Sequence, residues 1–263
     1  MNYSKKGIEQ KQNYIKSNAR RLTSKFRITV FRLCVIAAVV AVIIGAYAGF
    51  GYLKGLIDSA PDITQIDVSP KGFTTKVYDS EGNVIENLIG AEANREYVTI
   101  DQIPKIVQDA FISIEDERFY EHDGIDIRGI LRAFFSGIKG GEFDQGASTI
   151  TQQLIKNQVF DGGREQKFID RLKRKIQEQY LAIQLENRMD KKQILEYYLN
   201  TINLGSGTYG VQTASKRYFN KNVWELNLSE AAVLAAIAQL PVYHNPITNP
   251  ERNEARKNKI LSL

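Results

Sequence analysis

The sequence is poor in the residues that build covalent or metal-bound scaffolds. Its 263 residues include one cysteine, Cys34, two histidines and one tryptophan. A single cysteine cannot form an internal disulfide, and a lone histidine does not make a metal site. The sequence therefore excludes a fold held together by internal disulfides and gives no sign of a structural metal centre.

A second absence is that of charge, because no residue from 33 to 53 is charged. About 20 apolar residues in a helix span the hydrocarbon core of a membrane. A cleaved signal peptide is the alternative, but its basic region would be far shorter than the 32 residues here, so an uncleaved anchor is favoured. Nine basic residues and one acid precede the span, which predicts a cytoplasmic N-terminus with everything after residue 53 outside the cell. Such a tail would contact anionic lipid rather than nucleic acid.

The rest of the chain reads as a short β region followed by helices. Residues 73–78 and 84–89 suggest two strands around a turn, and residues 96–100 suggest a third. From Asp101, which we expect to cap a helix, the pattern is helical. The predicted organisation is a basic cytoplasmic tail, a transmembrane helix, a linker with a short hairpin and a helical domain, at residues 1–32, 33–53, 54–95 and 96–263.

Glu115 is the first candidate catalytic residue. It follows Phe111 by four residues and Val107 by eight, so it lies at the edge of an apolar helix face. Apolar surroundings disfavour the charged form and raise the pKa of a carboxyl group, as a general base or acid requires. A helix end with ordinary solvated acids is the alternative for this segment taken alone.

Glu178 is the second candidate, in a strongly basic helix predicted near residues 167–189. Arg171, Arg174 and Lys175 precede it at spacings that place all three cations on its face, where they would stabilise its charged form. An ordinary surface ladder of ion pairs is the alternative. Between the two glutamates, residues 145–157 are rich in hydroxyls and amides beside a glycine and a lysine, which suits an anionic or sugar ligand. A polar, capped helix start without a ligand is the alternative for this segment.

Four segments in this order resemble the motifs of the peptidoglycan glycosyltransferases, which occur as monofunctional enzymes and as the N-terminal domain of class A penicillin-binding proteins. One such segment would be a weak signal, but four at compatible spacing are specific. The segments are EDERFYEHDG at residues 115–124, GASTITQQ at 146–153, RKIQE at 174–178 and KKQILEYYLN at 191–200.

The resemblance implies a mainly α, lysozyme-like domain with a small membrane-proximal lobe. It also implies polymerisation of lipid II into β-1,4 glycan strands, with inversion and release of undecaprenyl pyrophosphate. The implied partners are lipid II, the nascent glycan strand and the bacterial membrane, with participation in a cell-wall synthesis complex left open. We expect Glu115 to be the general base and Glu178 to assist departure of the pyrophosphate.

The resemblance also carries over the substrate-binding residues. It assigns donor or acceptor contacts to Asp116, Phe119, Ser148 and Gln153, and phosphate contacts to Lys156 and either Arg164 or Arg171. Arg174 and Lys175 are expected to supply positive charge to the leaving group, and His122 and Gly124 to be structural. No cofactor is required for certain; a divalent cation, Mg²⁺ or Mn²⁺, is left open, with Glu178 as its one candidate ligand.

The chain departs from the family pattern in places. Ala147 replaces a commoner glycine, and the interval from Lys156 to Glu178 is longer than in many relatives. Asn203 and Asn220 replace an aromatic residue and a glycine, respectively. These changes affect local contacts and not the predicted reaction. The alternatives to a polymerase are a non-catalytic membrane-anchored cell-wall interaction domain, which the two glutamates beside a basic cluster disfavour, and a lysozyme-like glycan hydrolase, which would not need cations for a pyrophosphate. The chain stops inside a predicted helix, so we expect the domain to be truncated there, and whether a transpeptidase domain follows stays open.

Overall fold

The apolar run near the N-terminus lies within one long helix. The structure is a computed structural model that describes residues 4–16, 18–88, 90, 94–140, 147–160 and 162–263. Helix α1 (Lys5–Lys16) precedes α2 (Asn18–Asp58), which extends beyond the predicted span at both ends. Among the described residues, Lys25–Asp58 is the one helix long and apolar enough to cross a membrane, as a membrane anchor requires. Residues 1–58 form one compact unit and residues 59–263 another.

The predicted hairpin is present at the start of the second unit. Strand β1 (Thr75–Tyr78) pairs antiparallel with β2 (Val84–Leu88). Asp79 organises the turn, because its carboxylate accepts hydrogen bonds from the backbone N–H groups of Glu81 and Asn83, each at 2.8 Å. The last residue of the second predicted strand, Ile89, lies outside the described residues.

The predicted third strand at residues 96–100 is wrong. Residues 96–99 form no regular element and Ile100 begins a 3-10 turn, and a side chain takes the place of a neighbouring strand. The amide of Asn200 accepts a hydrogen bond from the Val98 N–H at 2.9 Å and donates one to the Val98 carbonyl at 2.7 Å. The backbone groups of Val98 are thus satisfied without a sheet.

The predicted helix start at Asp101 is also wrong. Residues Ile100–Gln102 form a separate 3-10 turn, and helix α3 (Lys105–Glu115) begins only after Pro104. Ile103 stands between them with φ −89° and ψ 114°, an extended conformation. A proline disfavours the helical conformation of the residue before it, so Pro104 divides the predicted helix in two.

In the described part of the second unit, seven further α-helices and a 3-10 turn (Val223–Glu225) follow, and α9 contributes six buried apolar residues to the core. Leu234, Ala235, Ala236 and Ile237 of α9 are fully buried, and α9 packs against α3 and α10. Helix α5 packs against α6 and α7. The mainly α class with a short hairpin and an apolar N-terminal helix is confirmed. The helices are α4 (Ile127–Gly140), α5 (Ile150–Val159), α6 (Phe168–Glu186), α7 (Lys191–Thr201), α8 (Val211–Phe219), α9 (Leu228–Ile237) and α10 (Pro250–Leu261).

Candidate active site

Glu115 is the last residue of α3, and its side chain is 9% exposed. Its Oε2 accepts a hydrogen bond from Gln153 Nε2 at 2.8 Å. Its Oε1 is buried, accepts no hydrogen bond from the described residues and lies 3.5 Å from Arg256 Nη2. Burial raises the pKa of Glu115, while the Gln153 hydrogen bond and the charges of Arg256 and Lys156 oppose the rise. The predicted direction of the pKa shift is confirmed.

Asp116, the next residue, is held by groups of the protein. Its carboxylate is within 3.0 Å of His122 Nε2 and accepts a hydrogen bond from the Ile150 N–H at 2.9 Å. The Gly124 N–H donates to His122 Nδ1 at 3.2 Å, which places the imidazole proton on Nε2, where it faces Asp116. This agrees with the fixed hydrogen-bonding role expected of His122. Asp116 anchors the first turn of α5 in this arrangement, and its expected substrate contact stays a prediction.

Gly124 also holds the first turn of α5 in place, through hydrogen bonds to its carbonyl group. It has φ +89°, and a Cβ atom there would lie 2.7 Å from the backbone of Ala182 in α6. Its carbonyl accepts hydrogen bonds from Thr149 Oγ1 at 2.8 Å and from Gln152 Nε2 at 3.3 Å. The Thr149 hydroxyl in turn accepts from the Gln152 N–H and caps α5. A glycine is needed here both for the left-handed backbone and for the close approach of α6.

Glu178 lies on α6 with its side chain 1% exposed and both oxygens paired. Arg174 Nη1 binds Oε1, and Lys175 Nζ lies 3.2 Å from Oε2. The same ammonium donates to Ser148 Oγ at 2.7 Å and to Gln152 Oε1 at 3.0 Å. Burial lowers the pKa of Lys175, while Glu178 opposes that change. Lys175 thereby links the second predicted motif, residues 146–153, to the third, residues 174–178. Gly146 of the second motif lies outside the described residues.

Arg171 does not join this cluster. It is exposed and has no ion pair with Glu178, whereas Arg174 bridges Glu178 and Glu165, whose Oε2 accepts from Arg174 Nε at 2.7 Å. Arg171 follows the predicted spacing on the helix face of Glu178, and its predicted contribution to the positive charge around Glu178 stays a prediction. Seven residues of helix separate the two residues by about 10 Å along the helix axis, which is too far for a direct ion pair.

The Phe119 side chain is enclosed by the protein, although the resemblance implies that it contacts the substrate. Its ring is fully buried, and Lys191 Nζ lies 4.5 Å from the ring centroid. The Lys191 ammonium also donates to the His122 carbonyl at 2.6 Å. Phe119 therefore packs the first motif against α7 in this arrangement, and its expected substrate contact stays a prediction.

Two cavities flank the Glu115–Gln153 pair, and Gln239 lines both. The smaller one, which we call the base cavity, measures about 100 Å³; its walls include Glu115, Ser148, Arg132 and Arg256. The larger one, the cation cavity, measures about 580 Å³. Its lining residues include Gln153 and the cations Lys71, Arg95, Lys156 and Arg164. Lys156 and Arg164, separated by a glycine loop in the sequence, thus meet at one cavity.

The arrangement does not fit a divalent cation at Glu178. Both carboxylate oxygens are occupied by Arg174 and Lys175, so a metal ion would have to displace one of them. In the described part of the chain no group of three or more His, Cys, Asp or Glu side chains could hold a metal.

Two residues of the site carried no signal in the sequence. Arg256 is one of several cations in the last helix, and Gln239 follows an Ala-rich segment. Neither belongs to one of the four motifs, and only the packing of α10 and α9 brings them beside Glu115. The periodicity of α10 could have indicated its buried face, but not the acid that this face meets.

Comparison with known families now defines the class of protein. The family model described as Transglycosylase matches residues 81–263, more than half of the chain. The chain therefore belongs to the transglycosylase family, and these residues form its transglycosylase domain.

The similar proteins are named penicillin-binding proteins. Penicillin-binding protein 1A of Aquifex aeolicus (strain VF5) is 41% identical over 227 residues, which are 86% of this chain and 30% of that protein. Penicillin-binding protein 1F of Bacillus subtilis (strain 168) is 44% identical over 190 residues, 72% of this chain and 26% of that protein. The chain thus spans less than a third of the length of these relatives.

A solved structure also matches the chain. It is the crystal structure of Penicillin-Binding Protein 1A from Haemophilus influenzae, with 23% identity and a TM-score of 0.37, covering 73% of this chain and 18% of that one. The family assignment stands on the sequence matches and does not depend on this structure.

Proposed function

We propose that this protein polymerises lipid II into β-1,4 glycan strands with inversion at the anomeric carbon. The observation that carries the proposal is Glu115, a buried carboxylate with a raised pKa at the wall of the base cavity. One of its oxygens is held by Gln153, and the other accepts no hydrogen bond from the described residues. A general base needs such an oxygen to receive a proton.

In the proposed step, Glu115 takes the proton from the acceptor sugar hydroxyl as that oxygen attacks the anomeric carbon of the donor. The bond from this carbon to the diphosphate oxygen breaks at the same time. Undecaprenyl pyrophosphate then leaves with the electron pair, and attack from the face opposite the leaving group inverts the configuration.

The leaving diphosphate requires positive charge, and two groups of cations support this part of the proposal. Lys156 and Arg164 line the cation cavity next to Gln153. Arg174 and Lys175 form the buried cluster with Glu178, which acts in our proposal by holding these cations in position. Arg164 is favoured over Arg171 as the diphosphate ligand because it shares the cation cavity with Lys156.

The proposal extends to location. The apolar helix within α2 would anchor the chain once in the cell membrane, with the basic N-terminus in the cytoplasm and the catalytic domain outside. This placement brings the domain to the membrane surface where a lipid-linked substrate is held. A cell-wall synthesis complex is the setting in which such an enzyme would work.

Polymerisation of labelled lipid II by the membrane-anchored chain tests the proposal. We expect Glu115→Gln to lower the rate about 10²–10⁴-fold while lipid II binding is retained, because the general base is lost. Glu254→Gln is the matched control: this glutamate is 67% exposed on α10, and its replacement should leave the rate unchanged. Undiminished chain growth by Glu115→Gln would refute its role. Wild-type protein that binds without polymerising would indicate an interaction domain, and cleavage of preformed glycan would indicate a hydrolase.

A further inference from the structure

Helix α10 lies outside the four motifs, yet it brings a cation to the proposed base. Arg256 Nη2 is 3.5 Å from Glu115 Oε1, and the two side chains are 13% and 9% exposed. Both residues line the base cavity. An opposite charge so close to a buried carboxylate has a large effect, because little water is present to screen it.

The position of Arg256 is fixed by the packing of α10. Asn253 is buried, and its amide donates to the carbonyl of Val233 at 3.2 Å and to that of His244 at 2.8 Å. Ile260 is buried in the core. Arg256 follows Asn253 by three residues and precedes Ile260 by four, so all three lie on one face of the helix. The helix therefore holds the guanidinium in place against α3.

The base cavity that Glu115 lines also includes the charged residues Glu117, Asp126, Arg132 and Lys259. Three further charged or titratable groups interact with Glu115. Lys156 of α5 contributes a positive charge and Asp116 a negative one. Tyr198 of α7 is fully buried, and burial raises its pKa well above the ordinary value, so it stays neutral. Lys156 makes no ion pair with a described residue and lines the cation cavity, where we have placed the diphosphate. Arg256 is therefore the cation best placed to serve Glu115 itself.

We propose that Arg256 is a positioning residue for the base: its guanidinium orients the Glu115 side chain and keeps the carboxylate form populated at neutral pH. The inference rests on the proposed function of Glu115. It assigns to α10 a part in catalysis that none of the four motifs contains.

The pH dependence of polymerisation tests this role. The base works only when deprotonated, so kcat/KM rises with pH through the pKa of Glu115. Loss of a nearby cation raises that pKa, and we expect Arg256→Met to move the acid limb upward by about one pH unit. In this variant kcat/KM should fall about tenfold at pH values below the pKa of Glu115, and it should change about twofold or less at pH values well above the raised pKa.

Two further variants separate charge from packing. Arg256→Lys retains the positive charge and should return the limb most of the way to its wild-type position. Arg252→Met removes the same charge from the same helix, but Arg252 stacks on the Tyr243 ring at 3.9 Å, and the limb should not move. A loss of rate in Arg256→Met that is equal at every pH would overturn the proposal.

A double-mutant cycle on thermal unfolding gives a readout that needs no activity. Arg256→Met should lower Tm by about 2–4 °C in the wild-type background and by less than half of that in the Glu115→Gln background, because the second background has no carboxylate. Equal shifts in the two backgrounds would overturn the inference. Undiminished polymerisation by Glu115→Gln would instead overturn the proposed function, and the cycle would still report on the ion pair.

Discussion

Glu115 and Glu178 are both buried glutamates, but their surroundings differ. Glu178 is bound by Arg174 and Lys175, one cation for each oxygen. Glu115 has one amide hydrogen bond and a guanidinium at 3.5 Å from its other oxygen. A saturated carboxylate holds cations in place, whereas one with an oxygen that accepts no hydrogen bond can exchange a proton. The difference supports separate roles for two side chains of the same type.

The largest loss of stability should follow removal of the Glu178 carboxylate, because each of its two oxygens is paired with a cation. Glu178→Gln leaves Arg174 and Lys175 near each other without their shared acid, and we expect the free energy of unfolding to fall by about 3–5 kcal/mol. Urea denaturation at pH 7 measures it. Glu165→Gln is the control, because Glu165 binds the same Arg174 but is 26% exposed, and its loss should cost less than about 1 kcal/mol. Equal costs would show that burial of the pair does not matter.

The next effect concerns α5, whose Gln153 binds Glu115 and whose Gln152 binds Lys175, a partner of Glu178. Gly124→Ala places a Cβ atom 2.7 Å from the Ala182 backbone at a positive φ, and we expect a loss of about 3 kcal/mol of stability. Polymerisation should fall as well, since the Gly124 carbonyl holds Thr149 and Gln152. Gly82→Ala has a similar φ of +87° with no atom within 4 Å and should cost about 1 kcal/mol. If the two variants lose the same stability, close approach of α6 is not what requires Gly124.

The smallest effect should be a change in how steeply the free energy of unfolding varies with pH. Because the folded-state pKa of Glu115 lies above its unfolded value, the folded protein binds more protons between the two values, and stability falls as pH rises through that window. Glu115→Gln removes this contribution. The variant should therefore gain stability relative to wild type as pH rises from about 4 to above the raised pKa. Chemical denaturation across this range measures the difference; a constant difference would contradict the raised pKa.

Local sequence patterns were enough to predict several parts of the molecule. The spacing of Val107, Phe111 and Glu115 depends only on helix geometry, so the apolar setting of the acid could be predicted before the fold was known. The same holds for Arg174 and Lys175, which reach Glu178 within one turn. The turn at Asp79 uses its own side chain and also follows from local chemistry.

Other predictions failed where a neighbour distant in the sequence, or a competing local rule, decided the outcome. Val98 pairs with the Asn200 side chain instead of a strand, a contact across 102 residues. The helix start predicted at Asp101 was wrong because Pro104 restricts the conformation of Ile103 and so interrupts the helix.

The sequence by itself determined the membrane-length apolar helix, the helical class and the two glutamates, because hydrophobic periodicity and short-range spacing record these features directly. Only the tertiary structure decided that Asp116 and Phe119 are enclosed, that Lys156 and Arg164 line one cavity with Gln153, and that Arg256 reaches Glu115. Those features depend on how α5, α7, α9 and α10 pack. Burial of the apolar helix faces drives that packing. The sequence pattern of those faces does not show which polar side chains the packing will bring together.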